Sequence, residues 1–164
     1  MMRTLAATCL VATLFSPPAL AAVTKGMRAP DFALPSLRGP RVALSSLRGK
    51  VVLIDFWAQW CEPCKKELPA LERLAKEFAA RGVIVLTVNI DKQRDNAERL
   101  AKQLGLTVDV LLDPAGQIAG TYDLPKMPSS FLVDKKGFIR FVHEGFEGDA
   151  DVSRFRSELE QLSH

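Results

Sequence analysis

Two cysteines separated by two residues, Cys61 and Cys64, constrain this chain more than any other feature of its sequence. An apolar run at 51–57 precedes them, and a helical pattern begins at Pro63. A buried strand, a tight turn with two thiols and a helix form the layout of a dithiol/disulfide redox site. The N–H groups and the positive dipole end of the helix would stabilise a thiolate on the first cysteine. The pattern therefore predicts that Cys61 attacks and Cys64 resolves.

A zinc site is the alternative for closely spaced cysteines. A structural zinc ion needs four ligands. Besides its cysteines, the chain offers only His143 and the terminal His164 as histidine ligands. The sequence therefore predicts no metal site and no cofactor other than the redox-active disulfide Cys61–Cys64.

The first 21 residues have the features of a secretory signal. Arg3 supplies a positive charge, residues 5–15 form an apolar run, and residues 19–21 match an A-x-A cleavage site. The run is shorter than the ~20 apolar residues of a membrane-spanning helix, although an uncleaved membrane anchor remains the alternative. We expect cleavage after Ala21, a periplasmic or otherwise extracytoplasmic protein, and loss of Cys9 with the signal.

The composition fits one soluble globular domain. The chain has 164 residues, of which 48% are hydrophobic, and a formal net charge of +3. Lysines and arginines are scattered rather than gathered in a basic block, so no nucleic-acid partner is predicted. With the signal peptide at 1–21 set aside, residues 22–164 are long enough for a single domain with a sizeable core.

Hydrophobic periodicity predicts an α/β fold with a central mixed β-sheet flanked by helices. An N-terminal β-hairpin comes first, and the chain ends with a second hairpin and a helix. On the first helix, Glu72 and Lys76 have the spacing of an i,i+4 ion pair on the outer face. The predicted elements are hairpin arms at 29–35 and 41–44, strands at 51–56, 83–90, 108–112, 130–133 and 138–143, and helices at 63–80, around 97–104, at 117–122 and from Asp149 or Asp151 onward.

Residues 55–65, Asp-Phe-Trp-Ala-Gln-Trp-Cys-Glu-Pro-Cys-Lys, closely resemble the active-site segment of thioredoxins. The Glu-Pro pair between the cysteines, the Lys-Lys-Glu-Leu-Pro run at 65–69 and the Ala-Pro-Asp-Phe run at 29–32 resemble the TlpA/ResA branch. Members of that branch are extracytoplasmic thiol-disulfide oxidoreductases, several of which serve cytochrome c maturation. The resemblance covers roughly residues 27–162 and implies a thioredoxin-like fold with an extra α-β insertion around 93–112.

Two carboxyl groups are candidates for proton transfer. Asp55 lies inside an apolar strand six residues before Cys61, where thioredoxins place a buried proton-exchanging aspartate. Glu67 follows Cys64 by three residues, the spacing at which ResA-type proteins carry a glutamate that aids proton transfer. The resemblance implies these roles here. The alternatives are a strand-end aspartate satisfied by backbone and a solvated glutamate favoured by the helix dipole.

The run at 127–134, Met-Pro-Ser-Ser-Phe-Leu-Val-Asp, resembles the thioredoxin segment that holds a cis-proline beside the disulfide. Such a proline shapes a substrate groove and leaves a backbone edge free for an extended peptide. Ser129 departs from the Thr or Glu often found after this proline, and an ordinary trans proline opening an edge strand is the alternative. The residues predicted to bind substrate are Trp60, Glu62, Pro63, Met127 and Pro128.

The resemblance implies a disulfide reductase acting on disulfide-bearing or dithiol proteins, with a membrane-bound electron donor. A thiol peroxidase is a second hypothesis, because the run at 29–32 also resembles peroxiredoxins. Their peroxidatic cysteine follows a proline that residues 58–60 do not supply. A peptide-binding module without a redox role is the third hypothesis, which the intact cysteines disfavour.

Overall fold

The computed structural model describes residues 23–164, and the predicted signal peptide at 1–21 lies outside the described residues. Among them, five strands form one mixed sheet and two short strands form a separate sheet. In chain order the strands are β1 (Ala33–Leu34), β2 (Val42–Ala43), β3 (Val51–Trp57), β4 (Val83–Asn89), β5 (Asp109–Leu112), β6 (Ser129–Val133) and β7 (Ile139–Glu144). The helices are α1 (Glu62–Phe78), α2 (Arg94–Gln103), α3 (Gln117–Tyr122) and α4 (Asp149–Ser163).

The main sheet has the strand order β5-β4-β3-β6-β7. Strands β3, β4 and β5 run parallel to one another, whereas β6 is antiparallel to both β3 and β7. Parallel strands need crossover helices, and α1 and α2 supply them. This arrangement confirms the predicted mixed sheet flanked by helices.

Strand β3 is central because its side chains are apolar on both faces. All seven of its residues are buried. Val52, Ile54 and Phe56 pack on one side of the sheet, in a cluster with Tyr122 of α3. Leu53 packs on the other side. The odd-numbered face, which also carries Asp55 and Trp57, lies under α1 and is the face on which the functional site is built.

Helix α1 places its apolar stripe against the sheet. Leu68, Leu71 and Leu74 are fully buried, at the i, i+3 spacing of one helical face. Pro69 lies inside the helix. No helix within residues 23–164 is long and apolar enough to cross a membrane.

The chain before β3 covers parts of both edges of the main sheet. The N–H of Leu37 donates to the carbonyl of Val110 at 2.7 Å, beside β5. At the opposite edge, the N–H of Gly26 donates to the carbonyl of Ile139 at 2.7 Å, beside β7. These bonds occupy backbone groups that could otherwise pair with another chain.

The predicted N-terminal hairpin is confirmed, but its arms are shorter than the ranges 29–35 and 41–44. Strands β1 and β2 pair over two residues each. Prolines at 30, 35 and 40 explain the difference, because a proline cannot donate a ladder hydrogen bond.

Glu72 is buried, although the sequence places it on the outer face of α1. Its carboxylate accepts hydrogen bonds from the N–H groups of Thr107 at 2.7 Å and Val108 at 3.0 Å, and also from the Thr107 hydroxyl. The expected pair with Lys76 is present at 3.0 Å. Burial alone would raise the pKa of Glu72, but these hydrogen bonds outweigh it and lower the pKa to about 2. Glu72 therefore fastens the segment before β5 to α1.

Candidate active site

The two cysteines lie at the N-terminus of α1 and form a disulfide. Cys61 is the N-cap residue, with extended backbone, and its Sγ accepts a hydrogen bond from the N–H of Cys64 at 3.3 Å. Cys61 retains 4% exposure, whereas Cys64 retains none. The order of accessibility agrees with the predicted roles, in which Cys61 meets the substrate and Cys64 resolves.

The charges next to the disulfide neutralise each other. Glu62 opens α1 and forms an ion pair with Lys65, with Nζ and Oε1 2.6 Å apart. Glu62, Pro63 and Lys66 are exposed. Because the charges of Glu62 and Lys65 cancel locally, the helix N-terminus is a built-in stabiliser of a Cys61 thiolate that does not depend on this pair.

Asp55 and Glu67 are both completely buried and meet at the hydroxyl of Ser130. The Ser130 oxygen lies 2.9 Å from Oδ1 of Asp55 and 3.3 Å from Oε1 of Glu67. Among residues 23–164, Oδ2 of Asp55 and Oε2 of Glu67 have no hydrogen-bond partner. The alternative of a solvated Glu67 is therefore wrong, because the residue faces the sheet rather than water.

Burial raises the pKa of both carboxyl groups. The pKa of Asp55 rises to about 8, and the hydrogen bonds from Ser130 and Glu67 offset only part of that effect. The pKa of Glu67 rises further, to about 10, because the negative charge of Asp55 adds to burial. Carboxyl groups whose pKa is raised toward that of a thiol are chemically able to exchange protons with a thiol nearby.

The Met127–Pro128 peptide bond is cis, as predicted. The carbonyl of Pro128 accepts a hydrogen bond from the N–H of Gly145 at 2.7 Å, and the Ser129 hydroxyl donates to the carbonyl of Lys126. Met127 packs against the hydrophobic cluster that contains both cysteines. The structure thus brings the 127–128 segment to the disulfide, although the two are far apart in sequence.

Trp60 is the most exposed large hydrophobic side chain of the described residues, at 63%. It lines a surface cleft of about 450 Å³ together with residues at the end of β4 and the start of α2, among them Ile90, Lys92 and Asn96. Trp57 differs from it, since its ring is fully buried. Trp60 is therefore available for contact with a partner, and Trp57 belongs to the core.

Asp91 is a site residue that the sequence analysis missed. Its Oδ2 accepts hydrogen bonds from the N–H of Gln59 and from the side chain of Asn89, both at 2.8 Å. It thereby holds the turn that precedes Cys61. The parallel order of β3 and β4 could have indicated it, because the carboxyl ends of parallel strands meet at one edge of a sheet. Ser130 was missed as well, and only its strand register identifies it.

No group of three or more potential metal ligands occurs within residues 23–164.

Comparisons with known proteins agree with this geometry. The model of the AhpC/TSA family matches residues 26–142. The thiol-disulfide oxidoreductase ResA of Geobacillus kaustophilus is 35% identical over 133 residues, covering 81% of this chain and 76% of that protein. The thioredoxin-like protein YneN of Bacillus subtilis is 37% identical over 126 residues, covering 75% and 73%.

A solved structure shows the same arrangement. The crystal structure of a putative thiol:disulfide interchange protein DsbE from Chlorobium tepidum superposes with a TM-score of 0.83 at 35% identity, and the match covers 87% of this chain and all of that one. The shared fold and sequence confirm the predicted thioredoxin-like architecture. The chain therefore belongs to the AhpC/TSA family and, within it, to the ResA-like thiol-disulfide oxidoreductases.

Proposed function

We propose that the protein reduces disulfide bonds of exported proteins outside the cytoplasm. The observation that carries this proposal is the asymmetry of the disulfide: Cys61 caps α1 with some exposure, whereas Cys64 is buried one helical turn from Glu67. Such a pair can form a mixed disulfide with a large partner and then release it. The signal-like features of residues 1–21 and the resemblance to the TlpA/ResA branch support the compartment and a role in cytochrome c maturation.

The reaction begins from the dithiol form. The Cys61 thiolate attacks one sulfur of a substrate disulfide, and the other substrate sulfur leaves as a thiolate that takes up a proton. Cys64 loses its proton and attacks the Cys61 sulfur, which releases the second substrate thiol. Two electrons and two protons thus pass from the protein to the substrate, and the Cys61–Cys64 disulfide remains.

Each cycle then requires a dithiol donor that returns two electrons and two protons. We place this donor in the membrane, because the systems that keep thiols reduced are cytoplasmic.

Asp55 and Glu67 are the proposed catalytic partners of the cysteines. Buried Cys64 cannot pass its proton directly to water when it resolves the mixed disulfide. Glu67 follows it by one turn on the same helix, and Asp55 lies on the sheet face below. Carboxyl groups with a raised pKa suit this transfer, because their proton affinity approaches that of a thiol.

The proposed substrate groove lies between the start of α1 and the 127–128 segment. Trp60 supplies an exposed apolar surface, and Glu62 and Pro63 form the adjacent rim. Met127 and Pro128 close the opposite side. An extended peptide can lie in a groove of this kind and pair through its backbone.

The reductase direction predicts a low reduction potential. We expect a value closer to the about −270 mV of thioredoxin than to the about −120 mV of strongly oxidising members of the fold, a range worth about 7 kcal/mol. Equilibration in dithiothreitol redox buffers, thiol alkylation and intact mass measure the oxidised fraction. The Cys61→Ser/Cys64→Ser double variant fixes the baseline mass. A potential near −120 mV would show that the protein oxidises dithiols instead.

Trp60→Ala is expected to raise KM for a disulfide-bearing protein about tenfold with little change in kcat, because loss of one aromatic contact costs about 1.4 kcal/mol. Reduction of a small-molecule disulfide should remain unchanged, since such a substrate reaches Cys61 without the indole. Met27→Ala is the matched control, as Met27 is the other large hydrophobic side chain exposed among the described residues. Equal losses with both substrates would contradict the groove.

A further inference from the structure

The hydroxyl of Ser130 joins the two buried carboxyl groups. Ser130 lies directly opposite Asp55 in the β3/β6 register, so both side chains point to the same face of the sheet. Glu67 reaches that face from α1. The Ser130 oxygen is 2.9 Å from Asp55 Oδ1 and 3.3 Å from Glu67 Oε1.

Counting hydrogens limits the charge of this cluster. A serine hydroxyl donates one hydrogen and accepts through its lone pairs, whereas an ionised carboxylate only accepts. If Asp55 and Glu67 were both ionised, one of them would face the Ser130 oxygen without a donor. Among residues 23–164, no group outside this cluster donates a hydrogen bond to the outer oxygens of the two carboxyls. The cluster therefore holds at least one acidic proton. With that proton on Glu67, the Glu67 carboxyl donates to the Ser130 oxygen, and the Ser130 hydroxyl donates to Asp55.

We propose that Ser130 is a positioning residue of the exchange reaction, whose hydroxyl lets Asp55 and Glu67 share one proton during the resolving step. This inference rests on the proposed function, in which these carboxyls exchange protons with Cys64. When Glu67 gives its proton to the Ser130 oxygen, Ser130 gives its own hydrogen to Asp55. The net result is movement of one proton between the carboxyls, and Ser130 is left unchanged.

Other ionisable groups surround the cluster. Cys64 lies on α1 three residues before Glu67. The pKa of Glu67 is raised mainly by burial and by the charge of Asp55, and the negative charge of Asp151 on α4 raises it further. His143 lies opposite Ser130 on β7, and its Nε2 is 2.6 Å from Glu158 on α4. This His143 nitrogen is therefore paired with a residue of α4. The group that contacts both carboxyls is the Ser130 hydroxyl.

The test compares variants that differ only in the hydroxyl. Ser130→Thr keeps it, and Ser130→Val has a methyl group of nearly equal volume in place of the threonine hydroxyl. Ser130→Ala removes it without added volume, should the larger side chains prevent folding. Thr87→Val is the matched control, because Thr87 is the other strand neighbour of Asp55 but its hydroxyl donates to the carbonyl of Asp109 at 3.3 Å.

Two measurements are needed. Carbon-13 NMR follows the carboxyl resonances of Asp55 and Glu67 against pH in the oxidised protein, where the cysteines do not titrate. Stopped-flow kinetics then give the pH dependence of the release of substrate from the mixed disulfide. The two carboxyls titrate in two steps. In Ser130→Val and Ser130→Ala, we expect the midpoint of the step at lower pH to rise by about one pH unit, because the ionised carboxylate loses a charge-assisted hydrogen bond. The midpoint of the kinetic profile should move with it, while Ser130→Thr and Thr87→Val titrate as the native protein does.

The outcomes separate this inference from the proposed function. Unchanged carboxyl titration in both Ser130→Val and Ser130→Ala overturns it, even if the native protein reduces substrates normally. A shifted titration with an unchanged kinetic profile also overturns it, because the cluster would then not serve the resolving step. Absence of protein-disulfide reduction by the native protein would instead refute the proposed function.

Discussion

Cys64→Ser is expected to turn the protein into a trap that accumulates covalent complexes with its substrates. Cys61 forms the mixed disulfide, and the missing Cys64 sulfur can no longer release the partner. Steady-state turnover should fall by about a thousandfold or more, as expected for removal of one member of a nucleophilic pair. Non-reducing electrophoresis of the exported variant, with mass spectrometry of the new bands, identifies the trapped proteins.

Cys61→Ser is the matched control for this experiment. It should lose the same activity but accumulate few complexes, because Cys64 has no exposed surface through which to reach a large partner. The reverse pattern would show that Cys64 attacks and Cys61 resolves. If neither variant trapped a protein in the exported compartment, the proposal that folded or unfolded proteins are the substrates would be refuted.

The parts of the fold that depend on local pattern could be predicted from the sequence. The apolar run of β3, the 3.6-residue stripe of α1 and the two cysteines at its start are contiguous signals. The cis bond at 127–128 was predicted by resemblance rather than by any physical property of Met127 or Pro128. The structure confirms all of these elements.

The contacts that the sequence analysis missed join residues far apart in the chain. Glu72 has the spacing of a solvent-exposed ion pair with Lys76, yet it is buried because the segment at 107–108 presents two N–H groups to it. Ser130 and Asp91 are small polar residues with no motif of their own. Their roles arise from strand register and from the parallel order of β3 and β4, which periodicity does not specify.

Asp55 is expected to make the stability of the oxidised protein depend steeply on pH. Its pKa is about 8 in the folded chain because burial disfavours the charged form, against an ordinary value of 3.8. A carboxyl whose pKa rises on folding stabilises the protein at low pH, and this contribution is lost as the pH rises through the folded value. Between about pH 4 and pH 8, the free energy of unfolding should therefore fall by about 1.4 kcal/mol per pH unit for this group.

Asp55→Asn removes the contribution of Asp55 to this pH dependence of the free energy of unfolding and leaves that of Glu67. The variant should become progressively more stable than the native protein from pH 5 to pH 8, the difference growing by about 1.4 kcal/mol per unit. Urea unfolding of the oxidised forms at several pH values measures the slope. Asp109→Asn makes the same chemical change at an exposed position and should leave the slope unchanged. Parallel pH dependences for the native protein and Asp55→Asn would contradict a raised pKa at Asp55.

The same variant should exchange disulfides more slowly, because an amide cannot accept the Cys64 proton. Gain of stability and loss of rate from one substitution would separate a functional carboxyl from a structural one. If Asp55 were a structural residue whose hydrogen bonds are satisfied by its neighbours, its replacement would destabilise the fold. The rate of disulfide exchange would then stay unaltered between about pH 6 and pH 9, the range around the pKa of a free thiol. Measuring both quantities on Asp55→Asn therefore decides whether the buried carboxyl group of β3 serves the exchange reaction or the packing of the core.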